Sequence, residues 1–181
     1  MLSRTFIPGG VRALLDEAFY RGQKPNVLTP TVPVFAAQNS SGQIVPVGSI
    51  TTITNWTTNI DNTGSFNAAT GIYTVPTTGN YRVSASLLFN TGAITSNLAI
   101  FCIIATDITL PSSLFNGQFT ALFTATPPSN TSSECNSKTV TLTAGTQLRV
   151  NTLLSGGGLP TVTLSPAFLS NSFSLEQIPN S

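Results

Sequence analysis

NWTTNIDNTGSFNAATGIYTVPTTGNYRVSASLLF, running from Asn55 to Phe89, is the stretch that decides how this chain folds. Gly64, Gly71 and Gly79 punctuate it, and Val75 is followed by Pro76. Glycine adopts positive φ without steric cost and proline keeps the preceding residue extended, so the pattern predicts short strands joined by tight turns. A polar turn segment is expected over Asn59 to Gly64, a short strand ending in a turn over Ser65 to Pro76, and a second strand opening at Tyr81. In that second strand Tyr81, Val83, Ala85 and Leu87 alternate with Arg82, Ser84 and Ser86, the period of a half-buried strand.

Composition narrows the class. Of 181 residues, 7% are charged and 40% are hydrophobic, with a net charge of +1. An ordinary soluble domain carries roughly 25% charged residues. Here Thr, Ser and Asn fill the polar positions, and the apolar residues fall in short alternating runs too brief for a membrane helix. The reading is an all-β protein with a neutral, hydrogen-bonding surface that belongs in an assembly. No basic stripe is present, so nucleic acid is set aside as a partner. No membrane span is expected.

Residues 1–30 differ from the remainder. Arg4, Arg12, Asp16, Glu17, Arg21 and Lys24 are six of the thirteen charged residues. Val11, Leu14, Leu15, Ala18 and Phe19 recur at helical spacing, predicting a short amphipathic helix from about Gly10 to Tyr20, with Gly22 as its stop. Charges at Arg12, Asp16 and Glu17 do not read as a secretory signal. A helix of about three turns is marginal alone in water, so its stripe needs a surface. That surface is either its own domain and sister chains, or a larger particle into which the segment plugs. KPNVLTPTVP, from Lys24 to Pro33, reads as an extended linker. The expected organisation is an anchor helix and linker over 1–30 and a β domain over 31–181.

Strands are expected near Val34 to Gln38, Ile50 to Asn55, Gly71 to Val75, Tyr81 to Asn90, Leu98 to Thr106, Gly117 to Thr124, Lys138 to Leu142, Gln147 to Leu154 and Asn171 to Gln177. Their number and spacing suit a jelly-roll sandwich of two antiparallel sheets. Asn62, Phe66, Gly71, Tyr73, Pro76, Gly79 and Tyr81 occupy the places of the core signature of the C1q and tumour-necrosis-factor-like head, which this segment resembles. Val34 to Ala37, the hairpin TVTLTAGTQLRV and the closing NSFSLEQI resemble other strands of that family, so the likeness runs from about Val32 to Ile178. Thr146 stands where the family usually has Asp, Val83 replaces a second aromatic, and no collagen repeat precedes the head. These departures favour a bacterial or viral relative.

The resemblance implies a homotrimer. The function expected is that of a structural virion protein: a trimeric spike, fibre head or capsid decoration protein on the virion surface. Residues 1–30 would join it to other particle proteins, and the head would contribute to host attachment through a glycan or receptor. The alternative is a secreted, extracellular C1q-like module that binds carbohydrate or a receptor.

Chemistry is not expected. Without histidine there is no Ser-His-Asp triad, Cys-His pair or His-based metal site, and the six carboxylates are scattered. No catalytic residue, cofactor or metal is therefore assigned. Gly156 to Gly158 reads as a hairpin tip rather than a phosphate loop, lacking the Lys and helix that would follow. Asp61 with Asn59 and Asn62 offers calcium-type oxygens, but an Asx turn accounts for the same residues. Trp56 is expected in the core or a subunit interface rather than as a stacking platform. Phe115, Phe119 and Phe123 share one strand face by their even spacing, where a trimer axis would use them. Cys102 is expected buried and Cys135 in a polar loop beside Lys138; one bridge or none is open to them. Asn39-Ser40-Ser41, Asn55-Trp56-Thr57 and Asn130-Thr131-Ser132 match the N-glycosylation sequon, as chance alone would give in so Asn- and Thr-rich a chain, and with no secretory signal they carry little weight.

Overall fold

The chain divides into two compact units, Met1–Pro30 and Thr31–Ser181. The computed structural model describes residues 32–92, 94, 98–106, 113–121, 130–156, 158–167 and 171–179, with the side chains of 32–33, 113–121 and 130–138 left undescribed. The helix stripe Val11, Leu14, Leu15, Ala18 and Phe19 lies outside the described residues, as does Phe123.

Thirteen strands are found among the described residues: β1 Val32–Gln38, β2 Ile44–Pro46, β3 Ile50–Thr52, β4 Thr57–Asp61, β5 Phe66–Asn67, β6 Ile72–Thr74, β7 Gly79–Asn90, β8 Leu98–Ala105, β9 Ser113–Ala121, β10 Asn130–Leu142, β11 Gln147–Gly156, β12 Thr161–Leu164 and β13 Ser172–Ile178. They form two antiparallel sheets. The all-β sandwich expected from the strand spacing is the fold observed.

Each sheet is built on one long strand. In the first, β7 pairs along its whole length with β10, and its other edge is shared by β13 (residues 80–86 of β7) and β12 (residues 89–90). Beyond β13 lie β1 and β4, and beyond β12 lies β2. In the second sheet, β11 pairs with β8 on one edge, and with β6 and then β3 on the other. β5 extends β6, and β9 extends β8.

Alternation along these two strands builds the core. Tyr81, Val83, Ala85, Leu87 and Phe89 of β7 are buried, facing Leu148, Val150 and Leu154 of β11 and Leu98, Ile100, Cys102 and Ile104 of β8 within one cluster. An aromatic group bridges the sheets at one end. Phe35 of β1 lies 4.3 Å from Phe66, 4.9 Å from Tyr73 and 5.1 Å from Phe173 between ring centroids. Such tilted and edge-on pairs each add about 0.5–1.5 kcal/mol beyond area burial.

Several local expectations are corrected. The strand expected at Gly71 to Val75 is β6, but the segment before it also forms a short strand, β5, so that Ser65 to Pro76 holds a hairpin closed by Gly71 N donating to Asn67 O at 2.8 Å. The polar segment from Asn59 contains part of edge strand β4, whose partner β1 supplies the pairing that a polar sequence does not advertise. Cys135 sits not in a loop but on β10, opposite Ala85. That strand begins at Asn130, eight residues before the position read from its apolar end. β2 and β12 are short strands that add to the expected set.

Candidate interaction surfaces

The signature residues converge on one end of the sandwich. Tyr73 and Tyr81 are buried, and Phe66 packs against the core. Tyr81 donates its hydroxyl to Thr77 O at 2.7 Å, four residues upstream, which pins the turn that Pro76 opens. Val75 N donates to Thr146 O and Gly145 N to Val75 O, so the same turn is stitched to the β10–β11 connection. Burial raises the Tyr73 phenol above its ordinary 10.0; the Thr63 hydroxyl pulls it back, and Tyr81 and Asp61 add to the rise.

Gly71 has φ +72°, and a Cβ built there would collide with the Ile53 carbonyl oxygen and touch Trp56 Nε1 at 3.0 Å. Those two groups are joined by a hydrogen bond, Trp56 Nε1 to Ile53 O at 2.8 Å. Trp56 is buried 6.1 Å from Phe173. Glycine at 71 therefore makes room for the indole to dock. Gly79 opens β7 opposite Leu142, while Asn62 and Pro76 are exposed.

Asp61 closes its own turn. Its Oδ1 accepts from Thr63 N, Thr63 Oγ1 and Ser65 N at 3.2–3.3 Å, and its Oδ2 accepts from Phe66 N at 3.0 Å. Burial pushes the carboxyl up, but these bonds from Phe66, Ser65 and Thr63 outweigh it and hold the group below its ordinary 3.8. The oxygens are engaged by local donors, which is the Asx-turn geometry. Among the described residues no group of three or more His, Cys, Asp or Glu lies together, and no helix is long and apolar enough to cross a membrane.

The two sheets present different outer faces. On the first, the positions of β7 and β13 that alternate with the core include Ser84, Ser86, Ser172 and Ser174, half-buried, with Ala36 of β1 beside Ser174; Leu88 follows Ser86 on β7, Ile60 of β4 stands opposite Ala36, and Glu134 of β10 is in register with Ser86. Ser84 and Ser174 share a hydrogen bond of 2.8 Å, and Arg82 pairs with Glu176 at 3.3 Å one step along. Between those charges and Gln38, no outward residue on β7 or β13 is larger than a serine. On the second sheet, Ile50, Leu153 and Phe101 stand opposite one another across β3, β11 and β8. None of the three belongs to the core cluster, and Ile50 is 45% exposed. Beside them Thr52 Oγ1 donates to Asn151 Oδ1 at 2.8 Å, and Ile103 completes that second row. The near-continuous apolar run of β8 thus serves both faces of one strand.

No protein-family model matches the sequence, and no curated protein matches it. Solved structures do match. The Eiger TNF of S. frugiperda superposes with a TM-score of 0.57 at 17% identity over 83% of this chain and 96% of that one. Murine APRIL gives 0.55 at 14% identity over 81% and 98%, and the globular domain of zebrafish complement 1qA gives 0.54 at 15% over 83% and 100%. The fold is the TNF/C1q-like jelly roll. Sequence identity this low carries the architecture and no more, yet the likeness spans nearly the whole of each of those heads. In this TNF/C1q-like sandwich the spine strands are β7 and β11.

Two residues that organise the fold escaped the sequence reading. Asn39 and Asn171 are both buried, at 1% and 0% exposure. Asn171 Nδ2 donates to Asn39 O and Ser165 O at 2.8 and 2.7 Å, and Asn39 Nδ2 donates to Thr54 O at 2.6 Å. An Asn between strand and turn reads as a loop residue; only tertiary structure shows it as an interior crosslink. Cys102 is fully buried on the core side of β8. Phe115 and Phe119 occupy register positions on β9 opposite Ile104 and Ile100.

Proposed function

We propose that this chain is a structural protein of a virion surface: a homotrimeric head or decoration module, joined to its particle through residues 1–30. The observation that carries the reading is a TNF/C1q-like sandwich whose first sheet has an outer face of Ala36, Ser84, Ser86, Ser172 and Ser174. Small side chains let another copy approach closely, and the Arg82–Glu176 pair at the edge of the face is already neutralised within the head. The role is non-enzymatic. Loop tips of the head are the surfaces assigned to a host glycan or receptor.

The likeness to the complement 1qA globular domain favours a second reading, an extracellular C1q-like binding module. Light scattering coupled to size exclusion tests the shared premise. A trimer is expected, and Ser174→Arg should reduce it to monomer without unfolding it; a wild-type monomer overturns both readings. Deleting residues 1–24 then separates them. A head that remains trimeric but no longer joins its particle fits the virion role, and one whose incorporation is unchanged defeats the anchoring assignment.

A further inference from the structure

The fold treats two matching sequons in opposite ways. Asn55-Trp56-Thr57 lies at the turn between β3 and β4, with exposed, buried and exposed residues in that order. Trp56 is turned into the core and held there by Ile53 O, leaving the acceptor amide and the threonine at +2 in solvent. Asn55 has φ +58°, a left-handed conformation that asparagine tolerates, and is exposed on the connection that carries the chain from β3 in one sheet to β4 in the other. Its Nδ2 makes one long contact, 3.4 Å to Thr54 Oγ1.

Asn39-Ser40-Ser41 is the converse. Asn39 is 1% exposed; its Nδ2 lies 2.6 Å from Thr54 O, and its Oδ1 accepts from Ser41 N at 2.9 Å and Ser41 Oγ at 2.7 Å. A sugar on that nitrogen would have to sit in the interior, where Nδ2 meets Thr54 O and Ser41 holds the amide oxygen in place.

We propose that Asn55 is an N-glycan acceptor site of this fold and that Asn39, in the same motif, is incompatible with modification. The ligand class is an oligosaccharide carried on a lipid pyrophosphate. Nδ2 attacks the anomeric carbon and an N–C bond forms. The C–O bond to pyrophosphate breaks, its electron pair leaving on the lipid carrier, and the amide proton passes to a base of the transferase. Because transfer acts on chains before they fold, a glycan placed on Asn39 blocks folding, whereas one on Asn55 is carried on the finished surface. This inference rests on a chain that enters a glycosylating compartment, as the extracellular reading requires.

The test is to express the full chain behind a cleavable targeting signal in a glycosylating eukaryotic cell and to map occupancy by peptide mass in exported and retained fractions. Exported protein is expected to carry a glycan on Asn55 and none on Asn39, with Asn39 occupancy confined to the retained fraction. Ser41→Ala, which removes the second sequon but keeps the Asn39–Thr54 bond, should raise export. Exported protein glycosylated at Asn39, or exported protein bare at Asn55, overturns the proposal. If nothing is exported, retained chains occupied at Asn39 and rescued by Ser41→Ala support it, and retained chains empty at Asn39 overturn it.

Discussion

Asn171 Oδ1 accepts a hydrogen bond from Leu88 N at 2.7 Å, at the place where β7 exchanges one neighbour for another. β13 pairs with β7 as far as Ser86, and β12 takes over at Phe89. Leu88 lies between, and its backbone is satisfied by the Asn171 side chain on N and by Ser165 N on O, also at 2.7 Å. One amide thereby ties β7, the end of β1 and the β12–β13 connection together.

Asn171→Ala leaves Leu88 N and two carbonyls without their partner, and buried unsatisfied groups cost about 1–3 kcal/mol each. A loss of about 3 kcal/mol or more is expected in urea unfolding. Asn171→Asp should be worse than Ala at neutral pH, because a carboxylate faces the oxygens of Asn39 and Ser165 where an NH₂ donated. Equal losses for the two variants would show that the site is filled by shape rather than by hydrogen bonding.

Gly71→Ala should disrupt the Trp56 dock. Positive φ costs a non-glycine residue about 1 kcal/mol, and the added methyl meets the backbone of Ile53 rather than a yielding side-chain end. Loss of stability above that figure is expected, with a shift of Trp56 fluorescence toward that of a solvated indole. Since Trp56 is the single tryptophan, the emission reports this position alone. Unchanged emission would mean that the Ile53–Gly71 contact relaxes without moving the ring.

Much of the sandwich was legible because β7 alternates cleanly, so that Tyr81 to Leu87 declares both its strand and its buried face. β4 was hidden for the opposite reason. Thr57, Thr58, Asn59 and Ile60 are all exposed, leaving no apolar period to read, and the strand exists because β1 offers it an edge. β10 is similar: NTSSECNS looks like a loop and is held extended by register with Leu87 and its neighbours on β7. The outer faces were equally hidden. Ser84 and Ser174 are far apart in sequence, and only the β7–β13 register places them 2.8 Å apart.

Asp61 makes stability depend on acid. Its folded carboxyl lies below the ordinary 3.8, so the unfolded chain binds its proton first as pH drops. The contribution is fully present above 3.8 and is lost as pH falls through the lower, folded value. Asp61→Asn removes this dependence while keeping an Oδ1 for Thr63 and Ser65. Urea midpoints of wild type and variant measured at about pH 6 and about pH 3 should converge on acidification. A constant gap between them would place the acid sensitivity elsewhere.

Arg82 and Glu176 offer a direct reading of what covers the first sheet. In the single sandwich their side chains are 47% and 35% exposed, and such pairs contribute about 0–1 kcal/mol. If a second copy seats on the Ser84–Ser174 face as proposed, the adjoining pair is drawn out of water with it. Removing one partner then strands a buried charge, which costs about 3–5 kcal/mol, whereas removing both with apolar residues costs far less. Glu176→Gln is therefore expected to weaken the trimer by several hundredfold or more with little effect on the fold of each head, and Arg82→Leu with Glu176→Leu is expected to restore it. Dissociation constants from analytical ultracentrifugation would decide the matter. A Glu176→Gln trimer as tight as wild type would place the interface on some other surface.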